Sequence, residues 1–368
     1  MRAVFAMVLL VHGAIHLPGF LHGVGLREFP HLTGVRTARE GWLWLAVATC
    51  FAASALAWTL AWRSWPWLAF VAVLGSQLLI VRAWGDARYG TFVNVLILVP
   101  VLVALAEFRA GSLRSTFARE AELLARASHG ADSMVTDADL ARVPGPVQRF
   151  LRRAGVVGQP HVRNFRLTFD VSIRGAPDDP WTRGTAVQYE SFDPPKRLFY
   201  MRATRAGVPF DGLHRYVGDS ATMDIRLLGL YRVQFLEGAD MTRSETVTLL
   251  NDICLLAPAA LLRAPITWDV IDAQHVRATF TNAGHRVSAV LVLDEAGDLV
   301  DFISEDRSRA AGDQMLQRRF ATPVRRRGVM AGTQVVVDGD ATWTDDGREW
   351  IYGRFLLTSL AYNVAAVR

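Results

Sequence analysis

The stretch Phe165-Arg166-Leu167-Thr168-Phe169-Asp170-Val171-Ser172-Ile173-Arg174 alternates apolar and polar residues without a break. This period of two is typical of a β-strand that has one buried and one solvated face. The same period returns at residues 276–280 and 287–293. Turn-forming residues mark hairpins at 282–284, 295–298 and 345–347. The sequence therefore predicts an antiparallel, meandering sheet within a soluble β-rich domain at residues 159–368.

A helix is predicted between these strands. Thr242-Arg243-Ser244-Glu245 has the form of an N-terminal capping box, and apolar residues at helical spacing follow it as far as Leu256. Because the helix is apolar over much of its circumference, we expect it to lie against the concave face of a curved sheet. The predicted fold class is α+β, with a half-barrel-like sheet that wraps one apolar helix and follows a four-helix transmembrane region.

Residues 1–110 are predicted to be that transmembrane domain. Four hydrophobic segments approach the roughly 20 apolar residues that are needed to cross a bilayer. The segments cover residues 4–24, 42–62, 66–81 and 91–108. Tryptophans cluster near the ends of the segments, as in the aromatic belt of membrane proteins. The chain is therefore predicted to be a multi-pass protein of the cell membrane.

A charged helical linker is predicted at residues 111–158, between the spans and the soluble domain. Four spans place the N-terminus and that domain on the same side of the membrane. Arginines in short loops mark the cytoplasmic side, but five arginines fall on each side. The first loop holds three of them, Arg27, Arg36 and Arg39. We therefore predict that the soluble domain faces outward.

The charge pattern excludes one class of partner. Lysine and arginine together number 40 against 35 acidic residues, and Lys196 is the only lysine. Basic residues alternate with acidic ones through the soluble part, and no motif for stacking bases is present. We predict no nucleic-acid partner.

Two histidines in the first span are candidate functional residues. His12 and His16 are four residues apart and share a helix face, a spacing that metal or haem sites use. Gln77 and Asn94 on other spans could extend them into a polar spine. Two histidines are too few for a closed metal site, and hydrogen bonds between helices would also satisfy them. We therefore predict no metal, and a membrane redox or transport module centred on these histidines is an alternative.

The soluble part has no recognisable catalytic motif. It contains carboxylates, histidines and arginines, but they form no acid/base pair that the sequence alone reveals. A Gly-x-Ser-x-Gly nucleophile elbow and a glycine-rich phosphate loop are both missing from the sequence. The sequence therefore indicates neither an enzyme nor a cofactor.

Several segments together resemble uncharacterised bacterial multi-pass membrane proteins that are grouped by a domain of unknown function. The segments are residues 12–20, 86–94, 147–158, 266–272 and 362–363. The resemblance implies a C-terminal half-barrel-like domain and carries no known activity. The predicted sheet is also similar, at the level of fold, to periplasmic lipoprotein-carrier domains and related envelope-stress sensors, and such similarity does not establish function.

The sequence favours a soluble domain that binds a lipid, a lipid-linked protein or another hydrophobic ligand at the membrane surface. Aromatic residues offer large contact areas, and the candidates for the cavity or its rim are Trp181, Tyr189, Tyr200, Trp268 and Trp343. A further alternative is an envelope sensor or assembly scaffold that binds no small ligand.

Overall fold

The computed structural model of the chain describes residues 2–29, 32, 34, 37–128, 133–312 and 314–366. Arg36, which entered the topology prediction, lies outside the described residues. The chain divides into two compact units, Met1–Arg109 and Ala110–Arg368. A separate linker at residues 111–158 stays a prediction.

The first unit is helical. Its described helices are α1 (Arg2–Ile15), α2 (Leu17–Gly23), α3 (Ala38–Thr59), α4 (Trp65–Arg82), α5 (Trp84–Ala87) and α6 (Gly90–Ala106). Three helical segments among the described residues are long and apolar enough to cross a membrane: Ala3–Gly23, Ala38–Thr59 and Trp65–Arg82. Helix α6 is apolar, but its 17 residues are fewer than the roughly 20 that usually cross a bilayer. The fourth span therefore stays a prediction.

The second unit combines helices with strands. Its described helices are α7 (Leu113–Ala127), α8 (Asp137–Leu140), α9 (Gly145–Arg153), α10 (Ala239–Leu256) and a short 3₁₀-helix, Pro258–Leu262. Its described strands are β1 (Asn164–Ile173), β2 (Thr182–Phe192), β3 (Pro195–Arg205), β4 (Val208–Val217), β5 (Ser220–Leu227), β6 (Tyr231–Leu236), β7 (Ile266–Val270), β8 (His275–Asn282), β9 (His285–Leu293), β10 (Leu299–Ser304), β11 (Ser308–Ala311), β12 (Gln314–Gln317), β13 (Arg319–Ala321), β14 (Val324–Met330), β15 (Thr333–Asp345) and β16 (Arg348–Tyr362).

Most of these strands form one antiparallel sheet. Within the described residues its order is β6-β5-β4-β3-β2-β1-β16-β15-β13-β10-β9-β8-β7, with β14 paired to β15 and β11–β12 forming a separate hairpin. The sheet is not closed, because β6 and β7 end the path without pairing to each other. Strand β1 buries Phe165, Leu167, Phe169 and Val171, as their alternation predicts. The predicted α+β class and antiparallel sheet are confirmed.

Helix α10 lies inside the curve of the sheet. It packs against β3 and β5 in one half of the sheet and against β8, β9, β10 and β15 in the other half. Fourteen of its eighteen residues are buried. The prediction that this helix lies against the concave face is confirmed, and the core of the unit lies around it.

The predicted capping box at Thr242 is wrong. Helix α10 begins at Ala239, and no side chain caps its first residues. Thr242 lies one turn inside the helix, where its hydroxyl donates to the Gly238 carbonyl at 2.9 Å. Only the first turn of a helix has free N–H groups to cap, so Glu245 is available for contacts with the sheet.

The convex face of the sheet is covered by α7. This helix packs against β2, β3 and β4 and buries Leu113, Phe117, Ala121 and Ala125. Arg215 on β4 donates to Glu120 of the helix at 2.7 Å. This part of the sheet is therefore buried on both faces, and its strands lack the simple alternation of burial that β1 shows.

Candidate functional site

A cavity of about 310 Å³ lies between α10 and the concave face of the sheet. Its walls are mainly apolar and include Phe169, Phe199, Met201, Met223, Ile225 and Phe355. Polar groups also line it, among them Arg197, His214, Glu245, Asp252 and Arg307. An apolar cavity with a few convergent polar groups is the usual form of a small-molecule binding site.

Strand β3 shows how the sequence builds this wall. Successive side chains of a strand point to opposite faces. Arg197, Phe199 and Met201 therefore share one face and line the cavity. Leu198 and Tyr200 share the other face and pack with the residues of α7. One face of β3 thus forms part of the cavity wall, and its other face packs beneath α7.

Arg197 is the centre of a buried ion network. The side chain is 6% exposed, and its guanidinium donates to Asp252 at 2.7 Å and to Glu245 at 2.9 Å. The Gln188 amide donates to Asp252 at 2.7 Å and to Glu190 at 3.0 Å. One cation thus holds two carboxylates of α10 against β2 and β3, which fixes the helix to the concave face.

Two carboxyl groups of this network, those of Glu190 and Glu245, differ in ionisation. Burial together with the nearby Asp252 charge raises the pKa of Glu190 well above its ordinary range. Burial acts in the same direction on Glu245, but the charges of Arg197 and His214 outweigh it and lower its pKa to about 2. Glu245 is therefore an ionised carboxylate at neutral pH, and Glu190 is the member of the network that most readily holds a proton.

His214 of β4 connects this network to the cavity. Its Nδ1 lies 2.8 Å from Glu245 Oε1. A carboxylate only accepts hydrogen bonds, so Nδ1 carries the proton and donates it. The contact orients the imidazole, which is partly exposed and lines the cavity. The arrangement resembles the carboxylate–histidine pairs that set a histidine tautomer.

Arg307 contributes a second cation to the cavity, and aromatic rings surround it. Its guanidinium carbon lies 4.2 Å from the ring centre of Phe320 and 5.0 Å from that of Trp343. Its Nη1 donates to the Tyr352 hydroxyl at 2.7 Å. The faces of aromatic rings attract cations, so these contacts hold Arg307 in place, and no carboxylate of the described residues forms a salt bridge with it.

The structure places the five predicted aromatic residues at different locations. Tyr189 and Tyr200 are both buried beneath α7 on the convex face. Trp181 is stacked between Arg174 and Arg354, whose guanidinium carbons lie 4.7 and 4.6 Å from its ring centre. Arg174 lines the cavity, so Trp181 lies behind a lining residue.

The other two aromatic candidates also differ in position. Trp268 is partly buried on the edge strand β7 and packs against the core. Trp343 stacks on Tyr352 with ring centres 5.3 Å apart, and Tyr352 lines the cavity. Trp343 is thus the predicted residue that directly supports the polar end formed by Arg307.

The polar residues that line the cavity are not among the site residues predicted from the sequence. Glu245, Thr248 and Asp252 are three and four residues apart in turn, which places them on one face of α10. A polar stripe of this kind on a helix predicted to be buried is a signal that could have indicated the network. Arg197 and Arg307 gave no such local signal.

The two membrane-unit histidines belong to a hydrogen-bonded network. His16 Nδ1 donates to the His12 carbonyl at 2.8 Å, so His16 Nε2, 3.0 Å from Ser76 Oγ, accepts. His12 Nε2 lies 2.8 Å from Asn94 Oδ1, and Asn94 donates to Gln77 at 3.0 Å. Both rings line a second cavity of about 400 Å³. A redox or transport role stays a prediction.

Metal ligands are not clustered in the described part of the chain. Among those residues no group of three or more His, Cys, Asp or Glu side chains is arranged to hold a metal ion.

The fold and the cavity define a class of protein: apolar N-terminal helices of membrane-spanning length, joined to an open antiparallel sheet that encloses a cavity with a buried helix. Within that class, the chain belongs to DUF6544, a family of unknown function, which matches residues 133–355. The predicted membership of a family of unknown function is confirmed. No curated protein matches the chain.

Two solved structures share features of the fold. One is a putative outer membrane lipoprotein-sorting protein domain from Vibrio parahaemolyticus, with 10% identity and a TM-score of 0.33, covering 54% of this chain and 85% of that one. The other is a DUF1329 family protein from Desulfovibrio piger, with 12% identity and a TM-score of 0.35, covering 64% of this chain and 96% of that one. At these TM-scores neither likeness carries an argument about what this chain binds.

Proposed function

We propose that the sheet unit binds one hydrophobic ligand, a lipid or another apolar molecule, in the cavity beneath α10. The observation that carries the proposal is the composition of that cavity: apolar walls from both halves of the sheet, with ionic groups confined to a few positions. Apolar walls supply affinity through the burial of ligand surface, and a few polar groups supply orientation.

The shape of the site supports a ligand rather than simple core packing. Met201 of β3 lines the cavity together with Met223 and Ile225 of β5. All three side chains remain partly exposed although they belong to the concave face. Methionine adapts to irregular surfaces because its side chain is unbranched and flexible. These residues can therefore follow the contour of an acyl chain or a similar flexible molecule.

The proposal is tested with the full chain and a neutral photoreactive probe, hexadecanol carrying a diazirine. After irradiation, mass spectrometry of the peptides identifies the labelled residues. We expect labels on β3, β5 and α10. Labelling confined to the membrane helices would overturn the proposal.

A matched pair of variants sharpens this test. Met201→Trp places a bulky ring in the cavity and should abolish labelling there. Thr185→Trp adds the same ring at an exposed position of β2 that does not line the cavity. The cavity of this variant should be labelled to the same extent as that of the wild type. Equal labelling of both variants would contradict the proposed site.

The side of the membrane is a separate proposal. We infer that the sheet unit faces outward, because the first loop between predicted spans holds three arginines. A cysteine introduced in place of Thr185 should react with an impermeant maleimide in right-side-out vesicles and not in inverted ones. The reverse pattern would place the unit in the cytoplasm.

A further inference from the structure

We propose that Arg307 recognises the anionic head of a single-chain amphiphile, an inference that rests on the proposed function and specifies its ligand. The head would be a carboxylate or a phosphate, since the guanidinium donates in pairs to both. The chain of the amphiphile would occupy the apolar part of the cavity.

Two arginines of the cavity, Arg197 and Arg307, favour the ionised form of Glu245 but differ in their own partners. Arg197 donates to two carboxylates, Glu245 and Asp252, and its charge is neutralised within the protein. Arg307 donates to the neutral Tyr352 hydroxyl and packs on aromatic rings. Among the described residues no carboxylate lies within 4.0 Å of it. A cation in an apolar setting is costly unless an anion accompanies it.

The carboxylate of Glu245, whose ionised form the charge of Arg307 favours, already has partners for both of its oxygens. The charge of Arg307 helps to hold Glu245 ionised, but Glu245 gives one oxygen to Arg197 and the other to His214. The Nη2 of Arg307 makes no hydrogen bond to a described residue, and its buried Nε also lacks one. Arg307 therefore keeps donor capacity that an anionic ligand can use.

Arg174 is not an equivalent anchor for an anionic head group. Arg174 also lines the cavity, but its Nε donates to the Ile351 carbonyl at 2.7 Å and its Nη1 to the Pro177 carbonyl. Two of its nitrogens are thus committed to the backbone. Arg307 donates one hydrogen bond, and its acceptor is the hydroxyl of the Tyr352 side chain rather than the backbone.

The volume of the cavity limits the size of the ligand. At about 310 Å³ it is at the lower end of the range of roughly 300–1,000 Å³ for ligand pockets. This size favours one acyl chain over a lipid with two chains. A single-chain amphiphile also brings one head group, which the guanidinium of Arg307 can bind by itself.

The experiment uses competition on the full chain. The neutral diazirine probe labels the cavity, and hexadecanoate, hexadecyl phosphate and hexadecanol then compete with it. We expect at least one anionic competitor to act at about tenfold lower concentration than hexadecanol, because a hydrogen bond to a charged group is worth about one factor of ten or more. The more effective anion identifies the head group.

Three variants locate the effect. Arg307→Met keeps an apolar side chain against the rings and should reduce the preference for anions to less than about threefold, while hexadecanol competes as before. Arg307→Lys should retain part of the preference. Arg319→Met removes an exposed arginine that pairs with Glu305 at 3.0 Å and should leave the preference unchanged.

The outcomes separate the two proposals. If the neutral probe does not label the cavity, the proposed function fails. If the probe labels the cavity but neither anion exceeds hexadecanol, the role of Arg307 fails while hydrophobic binding stands. Retention of the full preference in Arg307→Met would likewise overturn the assignment of Arg307.

Discussion

Replacing Arg197 with methionine should destabilise the sheet unit by about 3–5 kcal/mol, the usual cost of removing one partner of a buried ion pair. Residue Arg197 is 5% exposed, and its guanidinium lies 2.7 and 2.9 Å from the oxygens of Asp252 and Glu245. Methionine replaces most of the volume but leaves both carboxylates buried without their cation. Because Asp252 and Glu245 lie on α10, the loss should be concentrated where that helix meets β2 and β3.

Hydrogen exchange in the full chain measures this loss directly. Mass spectrometry of peptides from α10 reports the free energy of opening for that helix, separately from the membrane helices. Since 1.4 kcal/mol corresponds to a factor of ten, the amides of α10 should exchange roughly 10²- to 10⁴-fold faster in Arg197→Met.

Two controls make the result specific. Arg277→Met removes an exposed arginine, 3.9 Å from Asp269, and should change exchange by less than a factor of about ten. The triple variant Arg197→Met, Glu245→Gln, Asp252→Asn removes all three charges and should recover part of the loss, because neutral groups need no buried counter-ion. Exchange in Arg197→Met within threefold of the wild type would refute the reasoning.

Three further predictions concern other parts of the molecule. The folded pKa of Glu245, about 2, lies below its ordinary value of 4.5. Its stabilisation is therefore present above pH 4.5 and lost as the pH falls toward 2, and Glu245→Gln should flatten this part of the profile of unfolding temperature against pH. Tyr189→Phe should keep or raise the unfolding temperature, because the buried hydroxyl has no partner among the described residues; a clear fall would contradict this. Ser76→Ala should cost the helical unit less than about 2 kcal/mol, as interhelical hydrogen bonds in membranes do, measured by unfolding in detergent; a visible absorption band lost in this variant would instead favour a redox centre.

The local parts of the fold could be predicted from the sequence. The alternation at residues 165–174 predicts β1, and the predicted turn at 345–347 is confirmed, since Asp346 and Gly347 join β15 to β16. A period of two and a tight turn involve neighbouring residues, so a single segment contains the whole signal. The fold class followed from these elements without knowledge of their distant partners.

The candidate site was harder to predict because its residues meet only in three dimensions. Arg197 lies 48 positions before Glu245 along the chain, and no local pattern joins them. The aromatic candidates illustrate a second difficulty. Tyr189 and Tyr200 are apolar enough for a cavity, but α7 buries the convex face as well. With both faces buried, alternation along a strand does not tell which face lines the cavity.

The two arginines near Glu245 should separate stability from recognition. Arg197 is neutralised by two carboxylates of the protein, so its loss should weaken the attachment of α10 and leave the choice of head group intact in the molecules that remain folded. Arg307 has no carboxylate partner in the part of the chain that the structure describes, so its loss should change the choice of head group with little effect on exchange in α10. A buried charge needs a counter-ion. For Arg197 the fold supplies that counter-ion, and for Arg307 we infer that the ligand does. Equal effects of both variants on exchange and on competition would show instead that the two arginines form one structural network.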